Sequence, residues 1–107
     1  MNYVIKQTAV FSDWLLGLKD VQGQTRILAR IKLATMGNFG DCKPIGDGLS
    51  EMRIDVGPGY RVYCGQVGAV VYLLINGGDK NSQKRDIARA KLFWASVKGG
   101  DYEEAED

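Results

Sequence analysis

The chain contains no histidine, and that absence decides which chemistry it can attempt. Ser-His-Asp and Cys-His nucleophilic catalysis, histidine general bases and histidine-ligated metals are all excluded. Cys42 and Cys64 stand far apart with no C-x-x-C pair, so a zinc site lacks its ligands. They read as free thiols of a reducing compartment. What remains for chemistry is Lys, Arg, Tyr, Asp and Glu. The bases are unevenly placed. Residues 1–98 hold all 14 of them against eight acids, whereas residues 99–107 hold five acids and no base. The formal total of +1 therefore conceals a basic domain followed by an acidic tail. Lys84, Arg85, Arg89 and Lys91 form one basic helix face, and Arg26 and Arg30 at i, i+4 form another. Arg53 and Arg61 flank a Gly-Pro-Gly turn. Such faces are commonly just solvated surface; in a nucleic-acid binder they anchor phosphates without reading sequence.

The elements that must position these residues follow from periodicity. At 107 residues the chain is one domain's length, enough for a single core. Residues 2–7 alternate weakly around Tyr3 and Ile5 and predict a short strand. Phe11, Trp14, Leu15 and Leu18 predict a helix over about 8–19 with Thr8 as its N-cap. Asp20 is predicted to cap a second helix, with Ile27, Leu28, Ile31 and Ala34 inward until Gly37 ends it. The short linker makes the two an antiparallel helical hairpin. Residues 38–48 read as a loop containing a short extended piece at 43–45.

Next, Met52, Ile54 and Val56 alternate with Glu51, Arg53 and Asp55. Gly57-Pro58-Gly59 reads as a three-residue hairpin loop with Gly59 at a positive-φ position. That loop pairs Val56 with Tyr60, Asp55 with Arg61 and Arg53 with Tyr63. Residues 65–68 read as a turn into a strand over 69–75, covered on both faces because its apolar residues do not alternate. Gly77-Gly78-Asp79-Lys80 ends the sheet, and Asn81 or Ser82 caps a last helix with Ile87, Ala90, Trp94 and Val97 inward. The aromatics Phe11, Trp14 and Trp94 fall at core spacing, and Tyr60 points into the core with Val62 and Cys64.

The expected fold class is α+β in the order β-α-α-β-β-β-α: an antiparallel sheet with a helical hairpin and a C-terminal helix. Residues 1–98 form the domain, and residues 99–107 an acidic, disordered tail that screens the basic face. The run over 69–75 is too short to cross a membrane, and the N-terminus lacks the features of a signal peptide, so a cytoplasmic protein is expected.

Five segments occur in a telling order. They are Gly37-Asn38-Phe39-Gly40-Asp41, Gly48-Leu49-Ser50-Glu51-Met52-Arg53-Ile54, Gly57-Pro58-Gly59-Tyr60-Arg61-Val62-Tyr63, Gly77-Gly78-Asp79-Lys80, and Gln83 with Asp86-Ile87-Ala88-Arg89-Ala90. Over residues 1 to about 98 the chain resembles the RelE/ParE toxin superfamily, and within it the phage-derived addiction module killer proteins related to HigB. The resemblance implies the same β-α-α-β-β-β-α fold and the toxin of a type II toxin–antitoxin system. RelE-like members are mRNA endonucleases, or mRNA interferases, acting on the ribosome. ParE-like members instead inhibit DNA gyrase without catalysis.

In the RelE-like reaction a ribose 2′-OH attacks the adjacent phosphorus and leaves a 2′,3′-cyclic phosphate. It needs a base, charge stabilisation on the phosphate oxygens and an acid for the leaving oxygen. The resemblance implies that Arg61 is the phosphate ligand of the transition state and Arg53 a second one, with Glu51 as its ion-pair partner. Lys80 is a candidate acid or base, since neighbouring cations lower a lysine's pKa. Tyr63 could stack on a base or donate a proton. Lys43, Lys84, Arg85, Arg89, Arg26 and Arg30 are then RNA phosphate anchors. Ribosome-dependent members commonly carry a Tyr or His near the C-terminus; here Tyr102, inside the tail, is the one such residue beyond Lys80, so the gyrase alternative stays open. No metal or cofactor is implied. The implied partners are a cognate antitoxin of the helix-turn-helix kind and mRNA on the ribosome, with no membrane.

Overall fold

Thr8 closes a strand and opens a helix in the computed structural model, which describes residues 2–98. The strand β1 (Val4–Gln7) is followed by helices α1 (Ala9–Leu16) and α2 (Val21–Thr35). Four strands come next, β2 (Cys42–Gly46), β3 (Leu49–Ile54), β4 (Tyr60–Gly68) and β5 (Val71–Asp79), and then helix α3 (Gln83–Lys98). Thr8 accepts a hydrogen bond from the Phe11 amide at 3.0 Å and donates its own hydroxyl to the Ile75 carbonyl at 2.6 Å. The cap thus ties α1 to β5 while satisfying a free helix amide. Asp20 caps α2 likewise, accepting from the Gly23 amide at 3.1 Å. The tail from residue 99 onward lies outside the described residues.

The α+β class holds, but the sheet departs from expectation. It has five strands in the order β1-β5-β4-β3-β2, and it is mixed, because β1 runs parallel to β5 while the other neighbours are antiparallel. The extra strand is β2, where only a short extended piece is expected from the sequence. Pro44 and Gly46 weaken its local strand signal, yet an edge strand tolerates a proline that lacks a ladder donor. The chain therefore runs β-α-α-β-β-β-β-α.

The hairpin between β3 and β4 is also corrected. Ile54 pairs with Tyr60, Arg53 with Arg61 and Glu51 with Tyr63, so residues 55–59 form a five-residue connection and Asp55 does not oppose Arg61. The Tyr60 hydroxyl donates to the Asp20 carboxylate at 2.8 Å, docking the start of β4 on the N-terminus of α2. Gly57 and Gly59 both take positive φ, 56° and 80°, which the loop needs and most side chains resist. Further on, β4 continues through Gly68, the turn is at Ala69 and Val70, and the glycines 77 and 78 lie inside β5. Nearer the N-terminus, α1 stops at Leu16, and Leu28 is exposed rather than inward.

Both faces of the sheet are covered. Phe11, Leu15, Ile27 and Ala34 of α1 and α2 pack on Met52, Ile54, Tyr60, Val62, Cys64 and Leu74. On the other face Ala90 and Trp94 of α3 pack on Leu49, Tyr63, Leu73 and Ile75. A bulge at Ile75, opposite the Tyr63–Cys64 step, turns Asn76 towards α3 as well, where its amide nitrogen donates to the Asp86 carbonyl at 3.0 Å. Cys42 and Cys64 are free thiols on β2 and β4 whose side chains meet within hydrogen-bonding range on the α1/α2 face. That contact lowers the Cys42 pKa to about 7 and raises that of Cys64.

Glycine sets how closely α3 approaches. A Cβ on Gly65 would fall 2.5 Å from the Trp94 ring. Gly65→Ala is therefore expected to cost about 1–3 kcal/mol in urea denaturation. Gly68→Ala, in ordinary contact with Val71 at 3.6 Å, should stay within about 0.5 kcal/mol of wild type.

Candidate functional site

The hairpin register places Arg53 directly across from Arg61. Both alternate with residues of the α1/α2 core, so both side chains rise on the α3 face. Like charges directly opposite one another destabilise a sheet unless something compensates. The compensation is Glu51, which is 1% exposed and two residues from Arg53 on the same strand face. One carboxylate oxygen of Glu51 accepts from Arg53 Nε at 3.0 Å, and the other accepts from the Gln83 side-chain amide at 2.8 Å. Burial by itself would raise the Glu51 pKa. The hydrogen bonds from Gln83 and Arg53 and the charges of Arg53 and Arg61 outweigh it, and the net direction is down.

Arg61 is held from its other side. Its Nη1 donates to the Gly59 carbonyl at 2.9 Å, while its Nε is buried and makes no hydrogen bond within the described residues. A Cβ on Gly59 would lie 3.0 Å from Arg61 Nη1 and 3.7 Å from Lys80 Cβ, so Lys80 stands beside Arg61 at the end of β5. Lys43 is directly across from Glu51 on β2, exposed and on the same face. Three side chains expected to act on phosphate, Arg53, Arg61 and Lys80, thus share one surface, with Lys43 one strand away. Two guanidinium groups fixed at one nitrogen each leave other N–H groups for an anion's oxygens, the geometry in which arginine binds phosphate.

Tyr63 does not reach that surface. It is 0% exposed beneath α3, so it offers no ring face to a base. Its hydroxyl is buried without a normal hydrogen bond, and its pKa is driven up by burial first and then by the charges of Glu51 and Asp86. Tyr60 is buried as expected and gives its hydroxyl to Asp20, with a pKa pushed up to about 12 by burial and by that carboxylate.

The expected phosphate anchors divide. Lys84, Arg85 and Arg89 are exposed on α3. Lys91 is drawn to Asp47 at 4.0 Å. Arg26 is exposed on α2, on the far side of the sheet from Arg53 and Arg61. Arg30 is a clamp rather than an anchor: it donates to the carbonyls of Arg53 at 2.5 Å, Phe39 at 2.8 Å and Asp41 at 3.2 Å. It fastens the loop before β2 to the end of β3, and Gly40 leaves room for its guanidinium.

Sequence reasoning did not assign Gln83 or the Gly59 carbonyl a role in the site. Both hold their partners by contacts made only after α3 and the hairpin fold over β3. Ser82, not Asn81, precedes α3 as its cap: its carbonyl accepts from the Asp86 amide at 2.9 Å, and its hydroxyl bonds the Asp86 carboxylate. Among the described residues, no group of three or more His, Cys, Asp or Glu could hold a metal ion, and no helix is long and apolar enough to cross a membrane.

No family model matches the chain. A protein of Haemophilus influenzae, described as uncharacterized, is 48% identical over 93 residues, which is 87% of this chain and 94% of its own length. The chain belongs to that protein's family.

The carboxylate beneath the arginines makes stability depend on pH. Because the folded pKa of Glu51 lies below its ordinary 4.5, its contribution is complete above 4.5 and is lost as pH falls through the lowered value. Glu51→Gln is expected to lose about 1.5–3 kcal/mol at neutral pH, read by urea denaturation. The gap from wild type should close on acidification below 4.5.

Proposed function

We propose that the protein is a RelE/ParE-type toxin of a type II toxin–antitoxin system, cleaving mRNA on the ribosome. The supporting observation is the opposed Arg53–Arg61 pair, held by Glu51 and the Gly59 carbonyl with Lys80 alongside. Such a pair is unfavourable for folding alone and favourable for a phosphodiester. The two guanidinium groups take the non-bridging oxygens and stabilise charge as the 2′-OH adds to phosphorus. The 2′-oxygen gives up its proton, the bond from phosphorus to the 5′-oxygen breaks, and the leaving oxygen gains a proton. Lys80, beside Arg61, is the side chain assigned to one of those transfers. The reaction draws on cationic side chains and asks for no metal. Lys43 on β2 and Lys84, Arg85 and Arg89 on α3 supply further positive charge along the RNA path. An antitoxin neutralises the toxin by covering this face.

One observation favours the non-enzymatic reading. The hydroxyls of Tyr60 and Tyr63 are both withdrawn from the surface, which leaves the proton donor to lysine and suits a toxin that binds DNA gyrase without catalysis.

Ribosome-bound mRNA incubated with purified protein separates the two. Arg61→Ala is expected to slow cleavage about 10²- to 10³-fold while the fold is retained. Cleavage at the wild-type rate in that variant would end the nuclease reading. Intact mRNA with wild-type protein, together with gyrase-dependent DNA breaks on induction, would establish the second.

A further inference from the structure

β1 covers the outer edge of β5 only from Val71 to Leu74. Beyond that point the edge runs on to Asp79 with no strand beside it among the described residues, between α1 on one side and α3 on the other. Two adjoining hollows of about 570 and 430 Å³ lie there, sharing Trp14, Gly77, Asp86 and Arg89. A Cβ on Gly77 would fall 2.3 Å from the Trp14 ring, so the indole forms the floor against bare backbone. The groove is graded along its length. One end adds Val10 and Phe93 and is apolar; the other adds Arg85 and is polar.

Its acids are already engaged. Asp79 accepts from the amides of Asn81 at 2.9 Å and Ser82 at 3.1 Å, and Asp86 is buried against the Ser82 hydroxyl. The carboxylates keep their charge, and Arg85 Nε lies 3.9 Å from Asp86, so the lining is balanced overall. Asp86 is buried while Arg85 and Arg89 are exposed, which leaves the guanidinium groups on the solvent-facing side of the groove.

We infer that this groove is the docking site of the chain's own acidic segment, residues 99–107, which stand outside the described residues. Charge, order and reach all point to it. Trp94 of α3 lies on Gly65 near the start of β5, and Asp86 lies on Gly78 near its end, so α3 runs back along β5 and delivers the chain at the apolar end of the groove. Gly99-Gly100 can reverse the direction there. Tyr102 then meets Val10 and Phe93 first, and Glu103, Glu104, Glu106 and Asp107 follow toward Arg89 and Arg85. From Lys98 back to Arg85 is about 20 Å along the helix, and nine extended residues reach about 30 Å. Tethering supplies the segment at an effective concentration in the millimolar range, so weak charge pairs suffice. The +6 of the preceding residues and the five acids of the segment are then partners within one molecule.

The test uses the full chain, isotope-labelled for NMR, and follows the Trp14 indole N–H and the amides of Gly77, Gly78 and Arg89. Tyr102→Ala combined with Glu103→Gln, Glu104→Gln and Glu106→Gln should move these resonances while the core signals of β3 and β4 stay in place. Arg85→Glu with Arg89→Glu should move the Trp14 and Gly77 signals in the same direction. So should raising salt on the wild type to about 1 M, where the screening length is about 3 Å. Acrylamide quenching of Trp14 should rise in the same variants, since Trp94 is buried. Groove resonances that are identical in the wild type and the segment variant at low salt would overturn the inference. Shifts that grow with protein concentration would also overturn it, because the occupant would then be the segment of a second copy. None of these readouts involves RNA, so a failure here leaves the nuclease reading standing, and the reverse.

Discussion

Two guanidinium groups directly across a hairpin repel one another, and the α3 face of the sheet is arranged to make that repulsion tolerable. The buried carboxylate of Glu51 supplies the opposite charge, yet a buried carboxylate would itself be costly without donors. Arg53 and Gln83 provide those donors, one to each oxygen. Each group is thus stable only because the others are present, and the set spans β3, β4 and α3. The Gly59 carbonyl adds the second hold on Arg61, which requires the hairpin loop in its observed conformation. A slip of one residue in the β3–β4 register would send the arginines to opposite faces and leave Glu51 among apolar side chains. The Tyr60–Asp20 bond, made on the other face, prevents that slip by fixing the start of β4 against α2.

The same logic governs how α3 lies. Gly65 and Gly78 carry no side chain where Trp94 and Asp86 descend, so the helix comes close enough for Gln83 to reach Glu51. The bulge at Ile75 keeps apolar packing continuous while presenting Asn76 to the Asp86 carbonyl. Below the arginines this leaves a polar interior: Glu51, Tyr63, Asn76 and Asp86 are all buried. Polar groups in such a place fix one geometry if satisfied and weaken the fold if not. The Tyr63 hydroxyl and the Asn76 side-chain oxygen make no hydrogen bond of normal geometry among the described residues, and the two residues are register partners across the β4–β5 pair. They make this the least saturated part of the core, directly under the surface that carries the charge.

Much of the architecture was legible one element at a time. The Thr8 and Asp20 caps, the inward faces of α1 and α3, the positive φ of Gly59 and the free cysteines all follow from short-range chemistry. The parallel placement of β1 beside β5 did not, because strands separated by most of the chain meet only through the packing of everything between them. β2 was obscured by Pro44 and Gly46, which an edge position excuses. The candidate site was legible in its residue types, Arg53, Arg61 and Lys80, but not in its pairing. A loop read as three residues is five, because its length is set by Asp20 and Tyr60, 40 positions apart in sequence. Arg30 illustrates the same limit: its charge suggests an anchor, and only the folded loop supplies the three carbonyls that occupy it.

What the sequence by itself determined is the inventory and its local grammar. It holds no histidine, it places all its bases in the first 98 residues and follows them with nine residues that carry five acids and no base, and its alternation puts Arg53 and Arg61 on the polar side of adjacent strands. The tertiary structure decided which charges face each other and which are concealed. Opposition of Arg53 and Arg61, burial of Glu51 and Tyr63, and the groove along β5 all arise from contacts between residues distant in sequence. Their energies depend on distance and solvent exclusion, and neither exists until the sheet and α3 have closed on one another.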